Sequence, residues 1–260
     1  MERLGDTGEP AWFTTLNRDK QRPAWFFARE QGVLVGYLSV FDPLGEALEV
    51  SAFVAPGHRR RGVFTGLLAE ARRVWGPGRR WLLVVDREAE GRGLASRLGT
   101  LSFTEYTLVL PAADRPVFPG LEDGLTLVSA AAEHLDSAAG VLQAAGGASD
   151  ARAFLDSVVT DPSRHLLLLQ EDGRTVGTAG VHRDGDQAQL FALAIHPSHQ
   201  GRGRGRALVL AALELNAPGV REFTLEVDTA NPRAEGLYRR LGFQDRTATD
   251  YYELTPVPSF

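Results

Sequence analysis

Apolar and polar positions along the chain change period from block to block, and each change marks an element. Residues 1–22 keep no sustained period and hold one small apolar pair, Trp12-Phe13. Strand-like alternation then runs over Ala24–Arg29, Val33–Val40 and Glu46–Val54, separated by Gln31-Gly32 and Pro43-Leu44-Gly45 turns. A basic glycine turn, Pro56–Gly62, leads into a helical stripe of Phe64, Leu67, Leu68, Ala71 and Trp75 that Gly76-Pro77-Gly78 ends. Trp81–Val85 reads as a buried strand, Glu90–Leu98 as a helix closed by Gly99, and Phe103–Leu110 as another strand. Past a segment rich in proline, glycine and acids, Leu125–Val128 predicts a strand, and His134–Ala145 and Asp150–Val159 predict helices. Strands follow at His165–Gln170 and Arg174–Val181 around Asp172-Gly173, and at Gln187–Ile195. A second basic glycine turn then precedes a stripe of Leu208, Ala211, Ala212 and Leu215, which Pro218-Gly219 stops. Glu222–Asp228, a helix from Pro232 to Leu241 and a closing pair of strands through Tyr252 complete the order.

The order occurs twice. Val54 aligns with Ile195, Pro56 with Pro197, Arg59 with Gln200, Gly62 with Gly203, Asp86 with Asp228 and Leu98-Gly99 with Leu241-Gly242. The prediction is an α/β (α+β) chain of two related domains: residues 1–110, a linker at 111–123, and residues 124–260. Each is expected to be a mixed, mostly antiparallel twisted sheet flanked by helices.

Composition narrows the chemistry. No cysteine is present, which excludes disulfides, thiolate metal sites and an enzyme-bound thioester. The six histidines show no metal-ligand spacing with carboxylates, so no metal is expected. Without a leader-like or membrane-length apolar run, the expectation is a soluble cytoplasmic protein with no membrane partner. Divided after Arg115, the chain carries 16 basic and 14 acidic residues, then 12 and 19, about +2 and −7 against −5 overall. The acidic second half argues against nucleic acid and suits a cationic acceptor.

The stretch with most chemistry is Gln200-Gly201-Arg202-Gly203-Arg204-Gly205-Arg206 between a strand and a helix. The first N–H groups of a helix lack intrahelical partners, and the helix dipole adds positive charge there. Glycines let phosphates approach the backbone, so the stretch reads as a pyrophosphate cradle.

Gln200-Gly201-Arg202-Gly203-Arg204-Gly205 fits the Q/R-x-x-G-x-G/A signature of GNAT N-acetyltransferases, which residues 124–254 resemble. Asn231-Pro232-Arg233-Ala234 with Leu237-Tyr238 and Leu241-Gly242-Phe243 fits the same family's N-x-x-A…L-Y…G-F pattern. With the degenerate first copy, the whole chain looks like a tandem GNAT protein. The resemblance implies a sheet splayed in a V that takes acetyl-coenzyme A as acyl donor. Its pantetheine would pair with Leu193, Ala194 and Ile195, and its pyrophosphate would take N–H groups from Arg202 to Arg206. Asn231 is implied beside the cofactor, although an Asn before Pro232 also suits a helix cap. Amines attack the thioester directly in this family.

Glu226 and Tyr238 are the catalytic candidates, as base and acid, matching a Glu and Tyr of the same separation in bacterial N-terminal-alanine acetyltransferases of ribosomal protein. Glu226 shares a strand face with Thr224 and Asp228, away from Phe223, Leu225 and Val227. A solvated strand carboxylate and a core tyrosine on the stripe Ala234, Leu237, Tyr238, Leu241 are the plain alternatives. Gln189 stands where some family members place a basic Glu, leaving Glu226, Asp228 or a water chain as base; His182 and His196 are further options. In the first copy Phe64 replaces Gly205 and Ala95 replaces Tyr238, so residues 1–110 are expected to be structural. Arg59-Arg60-Arg61 keeps cofactor binding there open. The acceptor is an amine of a small molecule or peptide; mycothiol synthases share the tandem layout, making a cysteinyl-glycoside amine one candidate. A non-catalytic acyl-coenzyme A sensor is the competing reading.

Overall fold

The computed structural model describes residues 17, 19, 21–42, 45–146 and 150–255. The Trp12-Phe13 pair and the Pro43-Leu44 part of the Pro43-Leu44-Gly45 turn lie outside them. The elements are β1 (Trp25–Glu30), β2 (Val33–Phe41), β3 (Leu48–Val54), α1 (Val63–Trp75), β4 (Trp81–Asp86), α2 (Arg92–Leu98) and β5 (Gly99–Pro111). There follow β6 (Leu125–Ser129), α3 (Leu135–Ala144), α4 (Ala151–Val159), β7 (Arg164–Glu171), β8 (Arg174–Asp184) and β9 (Gln187–Ile195). Last come α5 (Arg204–Asn216), β10 (Glu222–Asp228), α6 (Pro232–Arg240) and β11 (Gln244–Leu254).

The chain forms two compact units, residues 1–104 with 249–260, and residues 105–248. In the first, the strand order is β1-β2-β3-β4-β11; in the second it is β5-β10-β9-β8-β7-β6. The predicted closing pair of strands is instead one long strand, β11, and its second half pairs antiparallel with β4 from Thr249↔Asp86 to Glu253↔Leu82. Conversely, the second half of β5 pairs antiparallel with β10, from Glu222↔Pro111 to Asp228↔Glu105. Each unit therefore completes its sheet with the strand that closes the other repeat. The division falls inside β5 at Glu105, ahead of the proline-rich 111–123 segment.

Burial explains why these strands are held. Tyr252 and Leu254 of β11 join Leu38, Val50, Trp75 and Trp81 in the first core. Leu108 and Leu110 of β5 join Leu167, Leu190, Phe223 and Leu225 in the second. Each large apolar side chain buried this way stabilises by about 1.5–3 kcal/mol before entropy is counted. α5 is enclosed on more than one face: Leu208, Val209, Leu210, Ala211, Ala212 and Leu213 are all buried. Leu215, predicted to be in its stripe, is instead 59% exposed in the last turn.

Candidate active site

The second unit's sheet opens at one place. β10 pairs parallel with β9 from Glu222↔Gln187 to Leu225↔Leu190, and no further. β9 continues to Ile195 with only β8 beside it, through Thr178↔Ala194 and Gly177↔Ile195. On the side turned to β10, the Leu193–Ile195 backbone has no strand partner among the described residues.

A bulge accompanies that divergence. The β8–β9 register shifts between Thr178 and Gly180, giving β9 one extra residue, and Ala192 adopts φ +49°. A one-residue slip moves every later side chain to the other face. Before the bulge, Ala188 and Leu190 lie in the core that includes α5; after it, Leu193 and Ile195 pack against that core. Phe191, on the opposite face, meets Phe154 of α4 edge-on at 6.2 Å. Gly180 is required beneath it, because an added Cβ would stand 2.6 Å from the Phe191 ring. Fully buried Thr178 donates from Oγ1 to the Ala192 carbonyl at 2.8 Å and pins the bulge. The first repeat has no counterpart of this bulge between β2 and β3, which keep one register from Gly36↔Val54 to Phe41↔Glu49; its register shift lies between β1 and β2, at Ala28/Arg29.

The cradle follows β9. Pro197–His199 form a 3-10 turn, Gly203 at φ +77° is the helix N-cap, and no side chain caps α5. The Arg204, Gly205 and Arg206 N–H groups thus lie in the first turn, without intrahelical acceptors; the ladder begins with Ala207 N–H to Gly203 O at 3.0 Å. The side chains divide the work differently from the arginine pattern alone. Arg202 and Arg206 are exposed, whereas Arg204 is ion-paired with Glu171 and, at 2.6 Å, with Glu122. The Arg204 guanidinium is therefore engaged by carboxylates, while its backbone N–H stays in the open first turn. Gln200 folds back, donating to the Ile195 carbonyl at 2.9 Å and accepting from Arg233 at 3.0 Å.

β10 and α6 carry the other candidates. Phe223, Leu225 and Val227 are buried while Glu226 is exposed, so the expected alternation holds, and Glu226 pairs in register with Thr107. Asp228 spends Oδ1 on the Ala230 N–H at 2.7 Å, which commits it to the turn. Asn231 caps α6 by accepting from Ala234 N–H at 3.1 Å, with Pro232 in the first turn. Tyr238 is 6% exposed in the core beside Phe243, and burial pushes its phenol up to about 12. His196 is occupied by Ser198, with Nδ1 2.8 Å from its Oγ. His182 is buried at the far end of β8, paired in register with Gln189, and desolvation lowers its pKa.

The first repeat retains the loop's frame. Arg59 donates to the Val54 carbonyl at 3.1 Å, as Gln200 does to Ile195, and Gly62 caps α1 at φ +80° as Gly203 caps α5. At Gly205, where that repeat has Phe64, an added Cβ would meet Leu237 at 3.5 Å and Ile195 at 3.7 Å, ordinary contact distances. The side chain beyond Cβ, rather than Cβ itself, is what distinguishes the two loops. Among the described residues, no three His, Asp or Glu side chains are grouped to hold a metal, and no helix is long and apolar enough to cross a membrane.

The family described as acetyltransferase (GNAT) family matches residues 2–80 and 129–243, one segment in each repeat. A mycothiol acetyltransferase of Clavibacter sepedonicus is 34% identical over 81% of this chain and 77% of its own length. One from Actinosynnema mirum is 32% identical over 89% of this chain and 84% of its own. Among solved structures, a tandem GNAT protein from the clavulanic acid biosynthesis pathway superposes with TM-score 0.72 at 20% identity, over 92% of this chain and 86% of that one. A GCN5-related N-acetyltransferase from Sphaerobacter thermophilus gives TM-score 0.68 at 20% identity, over 88% and 79%. These last two speak for the fold. The chain belongs to the GNAT family of acetyltransferases, in tandem form.

Proposed function

We propose that residues 105–248 transfer an acetyl group from acetyl-coenzyme A to a primary amine, and that the first unit is structural. The observation that carries this is the bulge in β9 just ahead of the loop and the α5 N-terminus: β3 likewise runs past its last pairing with β4, at Val50↔Leu83, into a helix without a side-chain cap, but β2 and β3 carry no such bulge. Leu193, Ala194 and Ile195 would offer backbone groups to the pantetheine amides. The Arg204, Gly205 and Arg206 N–H groups and the α5 dipole would take the pyrophosphate, with exposed Arg202 and Arg206 adding charge. Gln200 and Gly201 shape the turn, and Asn231 fixes the start of α6 beside it.

In the reaction, the neutral amine nitrogen attacks the thioester carbonyl and the C–S bond breaks. Glu226 takes the proton lost by the amine, directly or through water. Tyr238 is neutral across the physiological range and gives its proton to the departing thiolate, regaining one from solvent. The acceptor we favour is the amine acetylated by the relatives named mycothiol acetyltransferases, because that likeness spans both repeats.

The test is thiol release from acetyl-coenzyme A against desacetylated mycothiol and a panel of other amines. Turnover with an amine supports the reading. Tight coenzyme A binding with no thiol released against any amine would make the protein an acyl-coenzyme A sensor instead.

A further inference from the structure

Glu171, the last residue of β7, holds both ends of the cradle. Its Oε2 is 2.6 Å from His199 Nδ1, and its Oε1 accepts from Arg204 Nη2. His199 closes the 3-10 turn and Arg204 opens α5, so the stretch Gln200–Gly203 is strung between two groups fixed to one carboxylate. Within that stretch Gly201 and Gly203 sit at φ +79° and +77°, a conformation that costs much backbone freedom to order. The hydrogen bonds from Arg204, then His199, hold the Glu171 carboxyl below its usual range. The first repeat keeps the same pair at the same offset, with Glu30 Oε2 2.7 Å from His58 Nδ1. There the contact lacks hydrogen-bond alignment, Val63 stands where Arg204 does, and the second cation beside Glu30 is Arg61, at 3.7 Å and ahead of the helix.

We propose that Glu171 is a positioning residue that preorganises the coenzyme A cradle through His199 and Arg204. It touches no reacting atom. The clamp acts by removing loop freedom before the cofactor arrives, so its loss weakens cofactor binding more than turnover. This inference rests on the reading that coenzyme A seats at Leu193–Arg206.

The sign is not trivial, because removing Glu171 also removes a negative charge near the pyrophosphate and frees a cation. Preorganisation predicts that Glu171→Ala and Arg204→Ala each raise the calorimetric Kd for coenzyme A about tenfold, with the double variant no worse than either. The KM for acetyl-coenzyme A should rise in parallel, with kcat within about twofold. If Glu171→Ala proves unstable, Glu171→Gln keeps one acceptor oxygen and should raise Kd about threefold. A Kd for the Glu171 variants that is unchanged or lower overturns the clamp. A selective loss in Arg204→Ala does so too, because it would make Arg204 a direct phosphate ligand. Glu30→Ala should leave Kd unchanged. If Glu30→Ala weakens binding while Glu171→Ala does not, the cofactor sits in the first repeat and the underlying reading fails as well. If both are silent but Gly203→Val abolishes binding, that reading stands and the clamp alone is overturned.

Discussion

Replacing Thr178 with Val tests the bulge. Thr178 is fully buried, and its hydroxyl donates to Ala192 O at 2.8 Å. Valine fills nearly the same space but supplies no donor. The Ala192 carbonyl then loses its side-chain partner on a residue already held at φ +49°. Leaving a buried carbonyl unsatisfied costs about 1–3 kcal/mol, and this one is part-buried, so the upper end is not expected. In a unit of this size, each kcal/mol lowers Tm by roughly 2–4 °C, so the expected fall is about 4–8 °C for a mid-range cost. Thr178→Ser keeps the hydroxyl and gives up one methyl, about 0.8 kcal/mol, and should fall less. Thermal unfolding followed by circular dichroism reads the stability, and calorimetry reads the coenzyme A Kd. The bulge also sets the phase of the Leu193–Ile195 edge, so the valine variant should bind coenzyme A more weakly than the serine variant. Equal Tm and equal Kd for all three proteins would refute the idea that Thr178 holds the bulge.

Other outcomes follow from the same geometry. Glu226→Gln and Tyr238→Phe should each lower kcat by about 10²–10⁴-fold while coenzyme A affinity stays nearly constant; unchanged turnover removes the assigned role. Because burial raises the Tyr238 phenol to about 12, its proton is retained well above the usual tyrosine range. The pH–rate profile should therefore show no loss from this group up to about pH 10, and an alkaline limb near pH 9 that vanishes in Tyr238→Phe would contradict the assignment. Deleting residues 249–260 strips Tyr252 and Leu254 from the first core, a loss of about 3–6 kcal/mol that approaches the whole stability of a domain. Hydrogen exchange should then accelerate through β1–β4 and α1 while β7–β9 stay protected; uniform protection would contradict the strand exchange.

The repeat, most strands and the glycine-rich loop between β9 and α5 were legible because alternation, glycine turns and helical stripes are local signals. The exchange of β5 and β11 was not, since an alternating strand reads the same whichever sheet it completes. The Ala192 bulge was hidden for a related reason. Leu190 to Ile195 is an unbroken apolar run, so an added residue shifts the phase without breaking any visible pattern. The arginines of the cradle looked equivalent because composition does not aim a side chain; Glu171, distant in sequence, takes Arg204 away from the loop's mouth. Glu171 and His199 did leave a trace. Applying the spacing that aligns Gly62 with Gly203 places Glu30 on Glu171 and His58 on His199, a match that separates a retained contact from incidental polar residues.

The central claim is that the second repeat seats the acyl donor. A crystal structure with coenzyme A tests it most directly. Pyrophosphate oxygens are expected within about 3 Å of the Arg204, Gly205 and Arg206 N–H groups, with pantetheine along Leu193–Ile195. Coenzyme A bound instead at the Val63–Thr65 end of α1, with the second cradle empty, would contradict it.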